Sequence, residues 1–256
     1  MSARVAWISV SPVKGLALRQ LDECELTEAG VMGDRQFFLV DENDRLVNSK
    51  GLGVLQQIVP AYDDAGVLTL TFPDGTAVSD QVRLDGGVEA QFWGNTVGAS
   101  VVKGPWSEAI SDLVGRSLRL VKPPGPAPDR LRSGAATLLG TGSLRAMARQ
   151  LGVDEVDGRR FRMNFGIEGL EPHEEDTWIR RRIAIGEAVV IPHGNVGRCV
   201  ITKQNPDTAV SDLDTLNGLA AYRGDVEATE PLPFGVHAGV VQPGRVRVGD
   251  AVSLVA

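Results

Sequence analysis

Turn-forming residues interrupt this chain too often for long helices: 30 glycines and 14 prolines are spread over 256 residues. Proline removes a backbone donor and glycine weakens a helix interior, so short strands joined by tight connections are favoured. The segments between these breaks read accordingly. Residues 4–10 (RVAWISV) and 36–41 (QFFLVD) are rich in β-branched or aromatic side chains and run into turn material. Residues 66–72 (GVLTLTF) meet Pro73-Asp74-Gly75, which predicts a hairpin ending near Val78. Towards the C-terminus, Pro243-Gly244 and Gly249-Asp250 separate further short strands.

Helical signals are fewer. Ser107 is expected to cap SEAISDLVGR, with Ile110, Leu113 and Val114 on one face. Ser143 is expected to head LRAMARQLG, with Leu144, Met147 and Leu151 at helical spacing and Gly152 as the stop. Residues 215–222 form a third, short candidate. KPPGPAPDR (122–130) has no periodicity and reads as a linker or surface loop. The expected class is α+β, predominantly β, with a barrel plausible and domains over 1–115 and 116–256.

Hydrophobic residues make up 43% of the chain, enough for a real core, and the formal charge is −7. That balance argues against general nucleic-acid binding, which depends on neutralising phosphates with Lys and Arg. It leaves room for a local basic pocket. The opening MSARVAWISVSPVKG has no signal-peptide pattern, and no run approaches the roughly 20 apolar residues of a membrane span. Only two cysteines, Cys24 and Cys199, are present, which points to a reducing, cytoplasmic setting. CxxC, HExxH and Cys/His clusters are lacking, which disfavours protein-ligated zinc or an iron–sulfur cluster.

Cys199 follows Arg198 in a turn-like stretch after an apolar segment (188–191). A guanidinium beside a loop thiol favours the thiolate, which is both a nucleophile and a soft metal ligand. Free cysteine is also among the most often buried residue types, so residue chemistry alone favours a structural role. Lys14, Arg35, Arg159, Arg160 and Arg162 sit at loop edges, a set suited to gripping one phosphate-bearing ligand, although such side chains are usually solvated. The acidic run EEDTW (174–178) has no inferable second carboxylate for acid–base work. His173, His193 and His237 are scattered. His193 stands nearest Cys199 in sequence and reads as a loop residue. GLG (51–53) lacks phosphate-loop spacing.

Five ordered segments carry a resemblance. SPVKG (11–15) is similar to "YPVKS", and GVMGDRQFFLVDENDRLVNSK (30–50) to "GL-x-DR-x-W/F-x-LVD…G…T-x-R". RRFRMNFGIEG…EEDTW resembles "RFRPN…ED-x-W", and GRCVITKQNPDTA resembles "RC-x-x-T-x-x-DP-x-TG". The tail PFGVHAGVVQPGRVRVGDAV resembles "FG-x-Y…PG-x-IKVGD-x-V". Together they resemble proteins with a MOSC domain (molybdenum-cofactor sulfurase C-terminal domain) preceded by its N-terminal β-barrel partner, the pairing found in amidoxime-reducing components.

That resemblance implies a MOSC β-barrel with an associated N-terminal β-barrel-like domain, and a molybdenum cofactor (Mo-molybdopterin). Cys199 matches the cysteine that ligates molybdenum. Gly197 and Arg198 match cofactor-contacting positions, Lys14 and Arg35 the phosphate-holding ones, and Arg162 and Asn164 the "R-x-N" of the same pocket. Ser143 matches a helix-heading serine that can meet the phosphate. Gly15, Lys50, Met163, Val196 and Asn205 depart from the pattern, and Val196 leaves one thiol where the family's "CSRC" has two.

The implied activity is reduction of small N-hydroxylated substrates (amidoximes, hydroxylamines, N-oxides). Electrons would come from a separate partner of flavin-reductase, ferredoxin or cytochrome b5 type; no nucleic-acid or membrane partner is expected. The alternative is a sulfur carrier or sulfur-transfer protein using a Cys199 persulfide without metal. A third reading is non-catalytic binding of another phosphorylated ligand.

Overall fold

The computed structural model describes residues 2–126 and 134–255. Strands dominate, as the density of turn residues requires. One sheet has eight strands in the order Val252–Leu254, Ile183–Ile185, Ala188–Gly197, Pro233–Gln242, Ala136–Gly140, Phe165–Glu168, Arg4–Val10 and Arg19–Leu21. A five-stranded sheet joins Arg83–Phe92, Asn95–Lys103, Arg119–Lys122, Phe38–Val40 and Leu46–Val47. Two three-stranded sheets complete the set: Gly244–Arg247, Glu23–Thr27 and Gly30–Val31, and Val59–Tyr62, Val67–Thr71 and Ala77–Gln81. Both large sheets curl round on themselves in the manner of the expected barrels. Arg4 bridges Ala251, next to the strand Val252–Leu254, with Val252 N donating to the Ala3 carbonyl at 2.9 Å, and Arg45 bridges Gln91 across the ends of the five-stranded sheet.

The strand pairing crosses the expected division at 115/116. Arg4–Val10 pairs antiparallel with Phe165–Glu168, and Glu23–Thr27 pairs with Gly244–Arg247. Conversely, Arg119–Lys122 pairs with Phe38–Val40. Val5, Ile8, Leu26 and Val31 therefore share one core with Leu138, Phe165, Ile183, Val236 and Val246. A second core gathers Leu39, Leu55, Ile58, Leu68, Trp106, Ile110 and Leu120. Within it, the buried Trp106 indole donates to the Leu68 carbonyl at 2.9 Å, which satisfies its polar edge.

The hairpin at Pro73-Asp74-Gly75 forms as its turn residues predict, with Thr71 paired to Ala77. The three helices differ from expectation mainly at their starts. Helix α1 (Trp106–Val114) begins before Ser107, because Pro105 already has helical angles (φ −76°, ψ −11°). Ser107 Oγ instead accepts a 3.0 Å hydrogen bond from Leu120 N and ties the helix to a strand. Leu113 is 37% exposed, off the face that Trp106 and Ile110 bury. Helix α2 (Thr141–Leu151) starts directly after the strand ending at Gly140 and stops at Gly152, whose φ of 66° is the left-handed value a C-terminal glycine supplies. Helix α3 covers Thr215–Arg223. Of the proline-rich stretch, residues 127–130 lie outside the described residues, and 123–126 belong to no strand or helix.

Candidate functional site

Two turns begin the site. Lys14 N donates to the Phe37 carbonyl at 2.8 Å and Arg35 N to the Ser11 carbonyl at 2.8 Å, so the segments around 14 and 35 run side by side. Gly15 allows the first turn with φ +90°, where a Cβ would lie 3.2 Å from the Asn48 backbone. The loss of the family's serine at this position thus coincides with a strained, tightly packed backbone.

Arg35 and Arg162 both have left-handed backbones, φ 48° and 54°, which non-glycine residues adopt rarely and at a cost. Their side chains are fixed by the chain itself. Arg35 forms an ion pair with Asp34, and its other terminal nitrogen donates to the Arg162 carbonyl at 3.2 Å. Arg162 donates to the Leu16 carbonyl at 2.7 Å. The buried Asp34 carboxylate also accepts from Ser11 N at 2.7 Å and from Asn164 Nδ2 at 3.0 Å. Asn164 is buried behind this carboxylate, closed by the Thr137 hydroxyl and the Ser9 carbonyl.

Cys199 enters from the opposite half of the sequence. The strand Ala188–Gly197 ends at the Gly197 amide, which donates to Glu230 Oε2 at 2.8 Å. Cys199 follows in extended conformation, and its carbonyl accepts from Thr202 N and Thr202 Oγ1 to start a short 3₁₀ turn. The thiol is exposed, so the burial expected from residue statistics is overturned. Cys24, in contrast, lies in the core, and burial pushes its thiol up to about 12. Arg198 is braced by the carbonyls of Phe161 and Phe234, by Met163 Sδ, and by the Phe161 ring 5.4 Å away. Met163, a departure from the family's proline, thus supplies a partner to Arg198.

These pieces surround one cleft of about 620 Å³, a volume suited to a small molecule. Lys14, Arg35, Lys50, Arg162, Arg198 and Cys199 line it, with Glu28 and Asp34 as the carboxylates and Trp93, Phe161, Met163 and Val196 as apolar walls. Five cations face two carboxylates inside a protein of charge −7, which concentrates positive potential where an anion would enter.

Other expected site residues lie elsewhere. Ser143 is fully buried in the first turn of α2; its hydroxyl donates to Glu175 at 2.7 Å and accepts from His173 N at 2.8 Å. It does not line the cleft. Gly197 and Asn164 stand behind the wall rather than on it. Arg159 pairs with Asp157 and Asp207, and Arg160 with Asp212, and neither lines the cleft. Within EEDTW, burial pushes the Glu175 and Asp176 carboxyls up, and Arg223 pairs with Asp176 at 2.5 Å. His193 is exposed on its strand, not in a loop, and does not line the cleft. Sequence reasoning missed Asp34, Thr137 and Trp93; only Asp34 carried a signal, by preceding Arg35 in the same motif.

Family comparison assigns both halves. The MOSC N-terminal beta barrel domain matches residues 2–117 and the MOSC domain matches residues 131–253. The chain belongs to the MOSC family. This MOSC protein is 35% identical over 99 residues to mitochondrial amidoxime reducing component 2 of Rattus norvegicus, covering 36% of this chain and 28% of the rat protein. It is 28% identical over 206 residues to a molybdenum cofactor sulfurase of Anopheles gambiae, covering 68% of this chain and 26% of that protein. The matched parts thus span less than a third of either relative. The solved structure of the YUAD protein from Bacillus subtilis aligns over 98% of this chain and 94% of its own, at 12% identity and TM-score 0.48. No helix is long and apolar enough to cross a membrane among the described residues.

Proposed function

We propose that this MOSC protein holds a molybdenum–pterin in the cleft and reduces small N-hydroxylated substrates, with Cys199 as the metal ligand. One observation carries the reading: an exposed thiol and five cations line a single cleft. The donor set fits the group, since a soft thiolate suits molybdenum and an Arg/Lys cradle suits a phosphate. Lys14, Arg35 and Arg162 hold the phosphate. Asp34 orients Arg35, and Asn164 orients Asp34. Arg198 braces the wall next to Cys199, and Phe161, Met163 and Val196 keep that wall apolar. When bound, the molybdenum centre supplies the coordination position and electron pair for cleaving an N–O bond, the oxygen leaving as water. A separate electron-transfer protein supplies the electrons.

Elemental analysis for molybdenum and pterin fluorescence, on wild type and Cys199→Ser from a cofactor-competent host, test this. The expected result is metal lost and pterin retained in the variant. Molybdenum at the wild-type level in Cys199→Ser, or neither component in wild type, would overturn the assignment. The exposure of Cys199, together with the similarity to a sulfurase, also supports a sulfur-carrier reading. There the thiolate attacks the outer sulfur of a donor persulfide and the donor thiol leaves. Mass spectrometry after incubation with a persulfide donor separates the two, because only the carrier gains one sulfur atom on Cys199.

A further inference from the structure

Trp93 occupies a position that tryptophan seldom tolerates. It sits in the two-residue turn between the strands Arg83–Phe92 and Asn95–Lys103, where both central residues have positive φ (Trp93 51°, Gly94 83°). Such turns favour Asn, Asp or Gly, and a bulky side chain there is strained. The indole is nonetheless 56% exposed, so burial in the core does not offset that strain. What the turn accomplishes is placement, because Trp93 lines the cleft. Its ring is set edge-to-face against Phe92, with centroids 6.3 Å apart at 84°. Lys14 Nζ stands 5.8 Å from the Trp93 centroid and 5.7 Å from that of Phe92. An anion gripped by Lys14 is therefore within reach of an indole that is more than half exposed.

We propose that Trp93 makes this end of the cleft a ring-stacking subsite, which takes a planar heteroaromatic ring carried next to a phosphate. The proposal rests on the reading above that Lys14 holds a phosphate. Stacking on an indole is tolerant of ring identity, because every such ring has a π face. Two ligands share this chemistry: the nucleotide part of a dinucleotide form of the pterin cofactor, and a free nucleotide-like ligand.

Titration of the metal-free full-length protein, by calorimetry and intrinsic fluorescence, tests the subsite. The probes are inorganic phosphate, ribose 5-phosphate, and cytidine and guanosine monophosphates. The nucleotides are expected to quench fluorescence and to bind about tenfold more tightly than ribose 5-phosphate, the effect of stacking one base. Trp93→Asn, which suits the turn, should abolish that difference, and Trp93→Phe should keep most of it. Equal affinity for ribose 5-phosphate and nucleotides, no nucleotide binding, or a difference that survives Trp93→Asn would overturn the proposal. Binding of inorganic phosphate that is unchanged in Lys14→Met would instead count against Lys14 as the anchor. The source is decided by mass spectrometry of the pterin released from holoprotein. A dinucleotide form depleted in Trp93→Asn assigns the ring to the cofactor, and a monophosphate form in both proteins assigns it to a free ligand.

Discussion

Asp34 shows how one buried carboxylate organises a site. It accepts from a backbone amide, an asparagine side chain and a guanidinium, and these partners come from three separate segments. Removing it strands Ser11 N in a buried place and takes from Asn164 Nδ2 one of its two acceptors, which costs about 1–3 kcal/mol of stability. Asp34→Ala should therefore lower the unfolding free energy read from urea titration by that amount, moving the midpoint down, and weaken phosphate binding as well. His173 behaves differently: its ring nitrogens are buried without a hydrogen-bond partner. Burial, helped by the charge of Arg223, lowers its pKa from 6.5 to about 4. The unfolded chain then takes up the proton first, so stability is lost as pH falls from about 6.5 to about 4. His173→Asn tolerates the residue's φ of 62° and does not titrate. Stability curves of variant and wild type should run parallel above pH 6.5 and diverge below it, to the detriment of wild type. Parallel curves throughout would remove His173 as the cause.

At the scale of elements, ends were harder to read than interiors. The apolar spacing that predicted α2 holds, and so does its glycine stop, because both depend on neighbours along the chain. Ser107 and Ser143 looked like caps, yet both lie inside their helices. A serine hydroxyl near a helix start is satisfied by any nearby donor or acceptor, and here Leu120 and Glu175 won. The stop can be tested without disturbing packing, since nothing lies within 4 Å of a Cβ added at Gly152. Gly152→Ala should cost about 1 kcal/mol through the left-handed backbone alone, read from thermal or urea unfolding. An unchanged midpoint would mean that α2 ends by some other means.

For the whole molecule, the decisive feature is that strands within the first 31 residues help build the core of the second half, while Val13 and Leu16 between them join the other core. Arg4–Val10 covers the edge of Phe165–Glu168, and Val5, Ile8, Leu26 and Val31 fill the shared cluster. A fragment of residues 116–256 leaves that edge unpaired and that apolar surface bare. It should lack the cooperative thermal transition and near-UV signal of the full chain; a fragment that melts cooperatively would show that the second half folds alone. The residues proposed to carry chemistry, Cys199 among them, were legible from motifs, because the order of matched residues survives in the chain. So were the β-rich class and strands such as Arg4–Val10 and Val67–Thr71, which follow from turn residues and local composition, whereas the long hairpin of Arg83–Phe92 and Asn95–Lys103 carried no such signal. Only the tertiary structure decided that Cys199 is exposed, that Arg159 and Arg160 turn away to Asp partners, and that Asp34 and Trp93 complete the cleft. The physical reason is range. Backbone propensity acts between neighbours along the chain, whereas a cleft is set by which distant segments pair, and that pairing is fixed by burial and register across the fold.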